Sequence, residues 1–159
     1  MELKKPTIYF GIDLGTTNSV ISWGVPNPTT GFNPNVIPVN VQLERTQVTQ
    51  SELLPSCVYF AEDGTPIVGP YARTMIRTQE QAVVKSIKSD MGRSKQFDFH
   101  NTTYNPAEIS RFILKMLADG AETQLGVRPK DVVITVPASF NHQDLRNIHF
   151  YGRGFKFLT

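Results

Sequence analysis

Hydrophobic and polar positions alternate from Thr7 to Leu14, with Ile8, Phe10, Ile12 and Leu14 on one face and Tyr9, Gly11 and Asp13 on the other. A period of two predicts a half-buried strand. The polar turn Gly15-Thr16-Thr17-Asn18 follows, and Ser19 to Trp23 reads as the returning strand of a hairpin. Gly24 to Asn35 holds three prolines, two glycines and three asparagines, a composition that favours a loop or insertion over a continuing ladder. Alternation resumes from Val36 to Leu43, gives way to a polar stretch from Glu44 to Glu52, and a further strand begins at Leu54 and runs to Phe60. Asp63-Gly64 suits a tight turn between Phe60 and Ile67-Val68, which predicts a small hairpin.

The period then changes. Pro70 to Lys88 can be helical, although its apolar positions are irregularly spaced. Asn105 to Leu125 is a clearer helix: Asn105 can cap it, Pro106 suits the first helical position, and Glu108 completes a capping-box pattern. Ile109, Phe112, Ile113, Met116 and Leu117 then form one apolar stripe. Gly126 and Pro129 end the helix, Asp131 to Val136 is a β-branched run typical of a buried strand, and Pro137 terminates it. Strand, hairpin, helix and buried strand in that order predict an α/β fold, a mixed sheet with packed helices.

Composition narrows the functional classes without choosing one. The 159 residues are 40% hydrophobic and 19% charged, an ordinary globular balance. A net charge of +2 is too small for a nucleic-acid footprint. No stretch of the sequence reaches the roughly 18 apolar residues of a membrane span, and no apolar leader precedes the first strand. Cys57 is the single cysteine, which excludes an internal disulfide and makes a reducing, cytoplasmic setting the simplest expectation. His100, His142 and His149 lack metal-ligand spacing. Gly152-Arg153-Gly154 is one isolated unit, too little to indicate RNA binding.

The chemistry concentrates in Phe10-Gly11-Ile12-Asp13-Leu14-Gly15-Thr16-Thr17-Asn18-Ser19. A glycine just after a strand lets the backbone turn tightly and expose amide hydrogens, and the two threonines add hydroxyl donors, so the loop can cradle phosphate oxygens. Asp13, at the strand end, could hold a hydrated magnesium ion beside them. Neither a Walker loop nor a dinucleotide-binding glycine pattern is present. The same residues are compatible with an ordinary hairpin turn.

This loop resembles the first phosphate loop of the actin, sugar-kinase and heat-shock ATPase superfamily, and Gly-Ile-Asp-Leu-Gly-Thr-Thr-Asn-Ser is most similar to that of the seventy-kilodalton heat-shock chaperones. Three further segments resemble the same family in the same order: Leu54-Pro55-Ser56 with Val58-Tyr59-Phe60, then Ile87 to Arg93, then Tyr104 to Ser110 together with Asp131 to Asn141. The resemblance covers residues 8 to 146. It implies a partial actin-like ATPase (ribonuclease H-like) fold, with residues 1–42 and 104–146 as the first half of a nucleotide-binding lobe. Residues 43–103 would then be a smaller inserted subdomain, and 147–159 an atypical tail.

The resemblance also implies roles. Asp13 would place the metal and its water shell; Gly15, Thr16, Thr17 and Asn18 would bind the phosphates of ATP or ADP; Lys88 matches the family's catalytic lysine; Pro137 matches a proline that relays nucleotide state to the peptide-binding part. Arg146 falls one residue beyond the family spacing, so no role is carried onto it. An intact relative would use Mg2+ and ATP to cycle unfolded peptides, with co-chaperones as partners, and would bind neither nucleic acid nor membrane. The chain contains no Gly-Gly pair, so the family's second phosphate loop is missing. The expectation is therefore an N-terminal fragment of a divergent bacterial-type member, lacking full activity and prone to self-association. Two alternatives remain: a non-enzymatic interaction protein or gene remnant, and a sugar-kinase relative.

Overall fold

The computed structural model describes residues 7–130 and 132–135, and the backbone of 155–158. Pro137, Arg146 and the greater part of the tail lie outside the described residues. The first hairpin forms as its alternation predicts: β1 (Tyr9–Asp13) pairs antiparallel with β2 (Asn18–Gly24), Ile12 opposite Ile21. Phe10, Ile12 and Ile21 point into the core.

The next segments depart from expectation. The proline-rich stretch after Gly24 carries a two-stranded ribbon, β3 (Pro26–Asn27) and β4 (Gly31–Phe32), whose residues are all exposed. Two-residue strands leave the turn composition intact, so loop chemistry and a short ladder coexist. After β5 (Asn35–Val36) and β6 (Val39–Gln42), the polar stretch supplies β7 (Val48–Ser51), paired with β6. Its outward face is solvated, which removes the hydrophobic signal that alternation needs.

β8 (Leu54–Pro55), β9 (Cys57–Phe60) and β10 (Pro66–Val68) follow, the last two joined by the predicted Asp63-Gly64 turn, with Gly64 at φ 82°. The expected helix over residues 70–88 shrinks to α1 (Pro70–Met75). Two short 3-10 turns flank a strand, β11 (Val83–Lys85), that completes a three-stranded sheet on β9. Tertiary pairing decides here: Val84 is buried against β9, and such burial outweighs a weak local helical preference. β12 (Phe97–Phe99) and β13 (Thr102–Tyr104) form a hairpin whose two turn residues, His100 and Asn101, both have positive φ. That geometry matches the right-handed twist of the strands.

α2 (Pro106–Leu125) is the predicted helix. Asn105 accepts a hydrogen bond from the Glu108 amide at 3.0 Å, the Glu108 carboxylate accepts one from the Asn105 amide at 2.8 Å, and Gly126 ends the helix in the left-handed conformation. Ile109, Ile113 and Leu117 are buried, while Phe112 and Met116 pack at the margin of the core. A Cβ on Gly120 would lie 2.3 Å from the Val39 side chain, so the helix approaches β6 closely only because that position is bare. Phe60 stacks on Phe99 at 4.1 Å and meets Phe112 edge-on at 5.9 Å, joining the three-stranded sheet to α2.

β14 (Val132–Thr135) pairs parallel with β1, and β15 (Phe155–Leu158) pairs parallel with β14. The main sheet thus runs β15-β14-β1-β2-β5, with β8 also on β2, a mixed six-stranded arrangement backed by α2. No helix of the described residues is long and apolar enough to cross a membrane.

Two predictions concern α2. Asn105→Ala removes the cap and is expected to cost about 1 kcal/mol, read as a lower urea midpoint with an unchanged slope. Burial would raise the Asp119 carboxyl, but hydrogen bonds from Lys115 and Arg128 outweigh it and hold the group below its ordinary value. Its contribution is then full above about pH 4 and fades as pH falls through the lowered folded value. The melting-temperature gap between the wild type and Asp119→Asn should therefore narrow on acidification below about pH 4.

Candidate functional site

The loop between β1 and β2 begins with Asp13, exposed at the strand end, and is anchored by Leu14, which is fully buried. Gly15 makes the reversal possible. A Cβ there would stand 2.0 Å from the carbonyl oxygen of Asn18, a distance no side chain survives. Thr16 and Thr17 are carried outward and exposed, and Asn18 opens β2. The predicted loop residues are therefore brought together at one rim of the sheet.

Asp13 does not stand alone there. Parallel pairing sets Thr135 beside it, and the Thr135 hydroxyl donates to Asp13 Oδ1 at 2.7 Å. Such a bond fixes the orientation of the carboxylate and uses one of its roughly four lone-pair sites. Sequence reasoning missed Thr135, whose signal was a single hydroxyl closing the run Val132-Val133-Ile134-Thr135. A loop of donors beside one exposed carboxylate suits magnesium, which uses one or two carboxylates, several waters and the oxygens of a phosphate ligand. Among the described residues no cluster of three or more acidic, histidine or cysteine side chains offers a different metal site.

A second set of contacts ties the outer half of the loop to distant chain segments. β8 pairs with the start of β2, Asn18 opposite Pro55 and Ser19 opposite Leu54. The Ser56 amide donates to the Thr17 carbonyl at 2.9 Å, and the buried hydroxyls of Ser19 and Ser56 lie 2.9 Å apart. From α1, Arg73 Nη2 donates to the Thr17 carbonyl at 3.0 Å and to Asn18 Oδ1 at 2.8 Å. The Leu54-Pro55-Ser56 segment is thus the floor under the loop.

Lys88 lies elsewhere in the chain path. Ser86, at φ 57°, swings the backbone out of β11 into the 3-10 turn Ile87–Asp90, where Ile87 is buried as an anchor and Lys88 is partly exposed. No hydrogen bond or ion pair joins the Lys88 side chain to the Asp13 loop among the described residues. His100 occupies the β12–β13 turn, as a loop histidine would.

The Hsp70 protein family model matches residues 9–99 and 94–152, a span that includes the Asp13 loop, its floor and the Lys88 turn. The chain belongs to the Hsp70 family. It is 41% identical over 138 residues to the chaperone protein DnaK of Thermotoga petrophila, covering 87% of this chain and 21% of that protein. It is 40% identical over 131 residues to the DnaK of Thermosipho africanus, and 38% identical over 131 residues to that of Methanothermobacter thermautotrophicus, covering 82% of this chain and 20% of the relative in each case. The chain therefore spans about a fifth of the length of these relatives. As an Hsp70 chain it has the actin-like ATPase fold in part, and its structure is accordingly mixed α/β with a mixed sheet. Of the branches the loop resembles, the match selects the heat-shock branch.

Gly15→Ala tests whether the loop depends on that close approach. The substitution should lower stability by about 1–3 kcal/mol, measured by urea unfolding, since the Asn18 carbonyl must move to admit the methyl group.

Proposed function

We propose that the loop from Asp13 to Asn18 grips the phosphates of ATP or ADP, and that the longer protein to which such a chain corresponds is an ATP-driven chaperone of the Hsp70 type. The observation that carries this reading is the Asp13 loop itself: bare at Gly15, presenting two threonine hydroxyls, and flanked by a carboxylate already oriented by Thr135. The name DnaK, borne by the relatives as chaperone proteins, supports the reading at the level of the whole protein.

In this scheme Gly15, Thr16, Thr17 and Asn18 donate to phosphate oxygens, and Asp13 would hold Mg2+ through its water shell. The metal, when bound, neutralises phosphate charge. Lys88 approaches the terminal phosphate and the attacking water, and supplies electrostatic stabilisation rather than a covalent bond. Residues 43–103 act as the smaller subdomain that carries Lys88 and the floor of the loop, and Pro137 relays the nucleotide state onward. Peptide clients and co-chaperones belong to the intact protein.

Titration of the chain with magnesium ATP or ADP, followed by calorimetry, tests the site. Binding should be weak, with no meaningful turnover, because this sequence holds one phosphate loop. Asp13→Asn and Thr16→Ala should each reduce affinity by about tenfold, the worth of one charge-assisted hydrogen bond. Equal affinity in the wild type and both variants would rule the loop out as the phosphate site.

A further inference from the structure

We propose that Arg73 is a positioning residue that holds the Thr17–Asn18 peptide of the loop in the orientation needed to face a phosphate; this rests on the reading of the loop as a phosphate site. Arg73 belongs to α1, 55 residues along the chain from Asn18, and reaches it through one guanidinium nitrogen. That nitrogen donates both to the Thr17 carbonyl and to the Asn18 side-chain oxygen. The Thr17 carbonyl also accepts from the Ser56 amide, so one oxygen is held from two sides.

The consequence follows from peptide geometry. No cis bond occurs in the described chain, and in a trans peptide the C=O and the following N–H point in opposite directions. Fixing the Thr17 carbonyl toward Arg73 and Ser56 therefore turns the Asn18 N–H away from them, toward the inside of the loop. Asn18 cannot bond β8 through that N–H either: the Ser56-to-Thr17 bond makes Asn18 and Pro55 a non-hydrogen-bonded pair, whose own N–H faces away from the partner strand. Gly15 is what lets the chain close on this inner side: its missing side chain leaves room for the Asn18 backbone.

Arg73 does this as an arginine. Its planar fork has five donors, so a single nitrogen can serve two acceptors while the others remain available to an anion at the loop mouth. Lysine brings one compact ammonium on a flexible stem and is a poorer clamp. The side chain is exposed, so its substitution leaves the core intact and the effect is local.

The test compares the full chain with Arg73→Met and Arg73→Lys by hydrogen–deuterium exchange of the segment from Gly15 to Ser19 and by titration with magnesium tripolyphosphate, which engages the loop without adenosine contacts. In Arg73→Met the segment should exchange at least about threefold faster, and tripolyphosphate affinity should fall about three- to tenfold, with a melting temperature close to that of the wild type. Arg73→Lys should recover part of both. Unchanged exchange in Arg73→Met overturns the clamp, and so does faster exchange with wild-type tripolyphosphate affinity. If the wild type binds no tripolyphosphate, the phosphate reading fails, and with it the positioning role, whereas the exchange data still decide whether Arg73 orders the loop. Should Arg73→Met melt far below the wild type, Arg73→Lys decides alone: wild-type values in both measurements, with the charge kept but the fork gone, reject the role assigned to the fork.

Discussion

At residue 15 the chain doubles back so tightly that the Asn18 carbonyl fills the space where a side chain would begin. The rest of the arrangement depends on that contact. It fixes the register of β1 against β2, puts Asp13 opposite Val20, and carries Thr16 and Thr17 out into solvent. A longer or looser turn would shift the strands by a residue and send the buried face of the hairpin outward.

The hairpin alone would not hold its loop in one shape. Two bonds to the Thr17 carbonyl, the Ser19–Ser56 hydroxyl contact and the Asp13–Thr135 bond arrive from three separate segments. Each is worth on the order of 1 kcal/mol, but together they replace solvent around a polar turn with fixed partners. Under the proposed reading, such preorganisation leaves the loop needing no reordering when a phosphate binds. Among the described residues no buried side-chain polar atom is left without a partner.

Legibility followed the strength of the local signal. The β1–β2 hairpin and α2 were readable because each satisfies several rules at once: period two with a glycine turn, or a capping box with an apolar stripe and a terminal glycine. β7 was not readable, since its exposed residues lack alternation and it exists by pairing with β6. The stretch from Pro70 to Lys88 misled for the converse reason: its local preference is weak, and β9 offers Val83 to Lys85 a ladder to join. In the candidate site, the gathering of Gly15, Thr16, Thr17 and Asn18 into one turn was legible from their order in the chain, whereas the contacts made by Thr135 and Arg73 were not, because their partners lie 122 and about 55 residues away.

Local chemistry in the sequence determined where the chain could turn tightly, which residues could line that turn with donors, and which helix would cap itself; these depend on neighbours within a few positions. Family membership was equally legible, because the ordered segments survive as strings. Only the tertiary structure decided which carbonyl is held, which carboxylate oxygen accepts from Thr135 and which arginine faces the loop. Those outcomes depend on parallel pairing and on the approach of α1, and distance along the chain carries no record of distance in space.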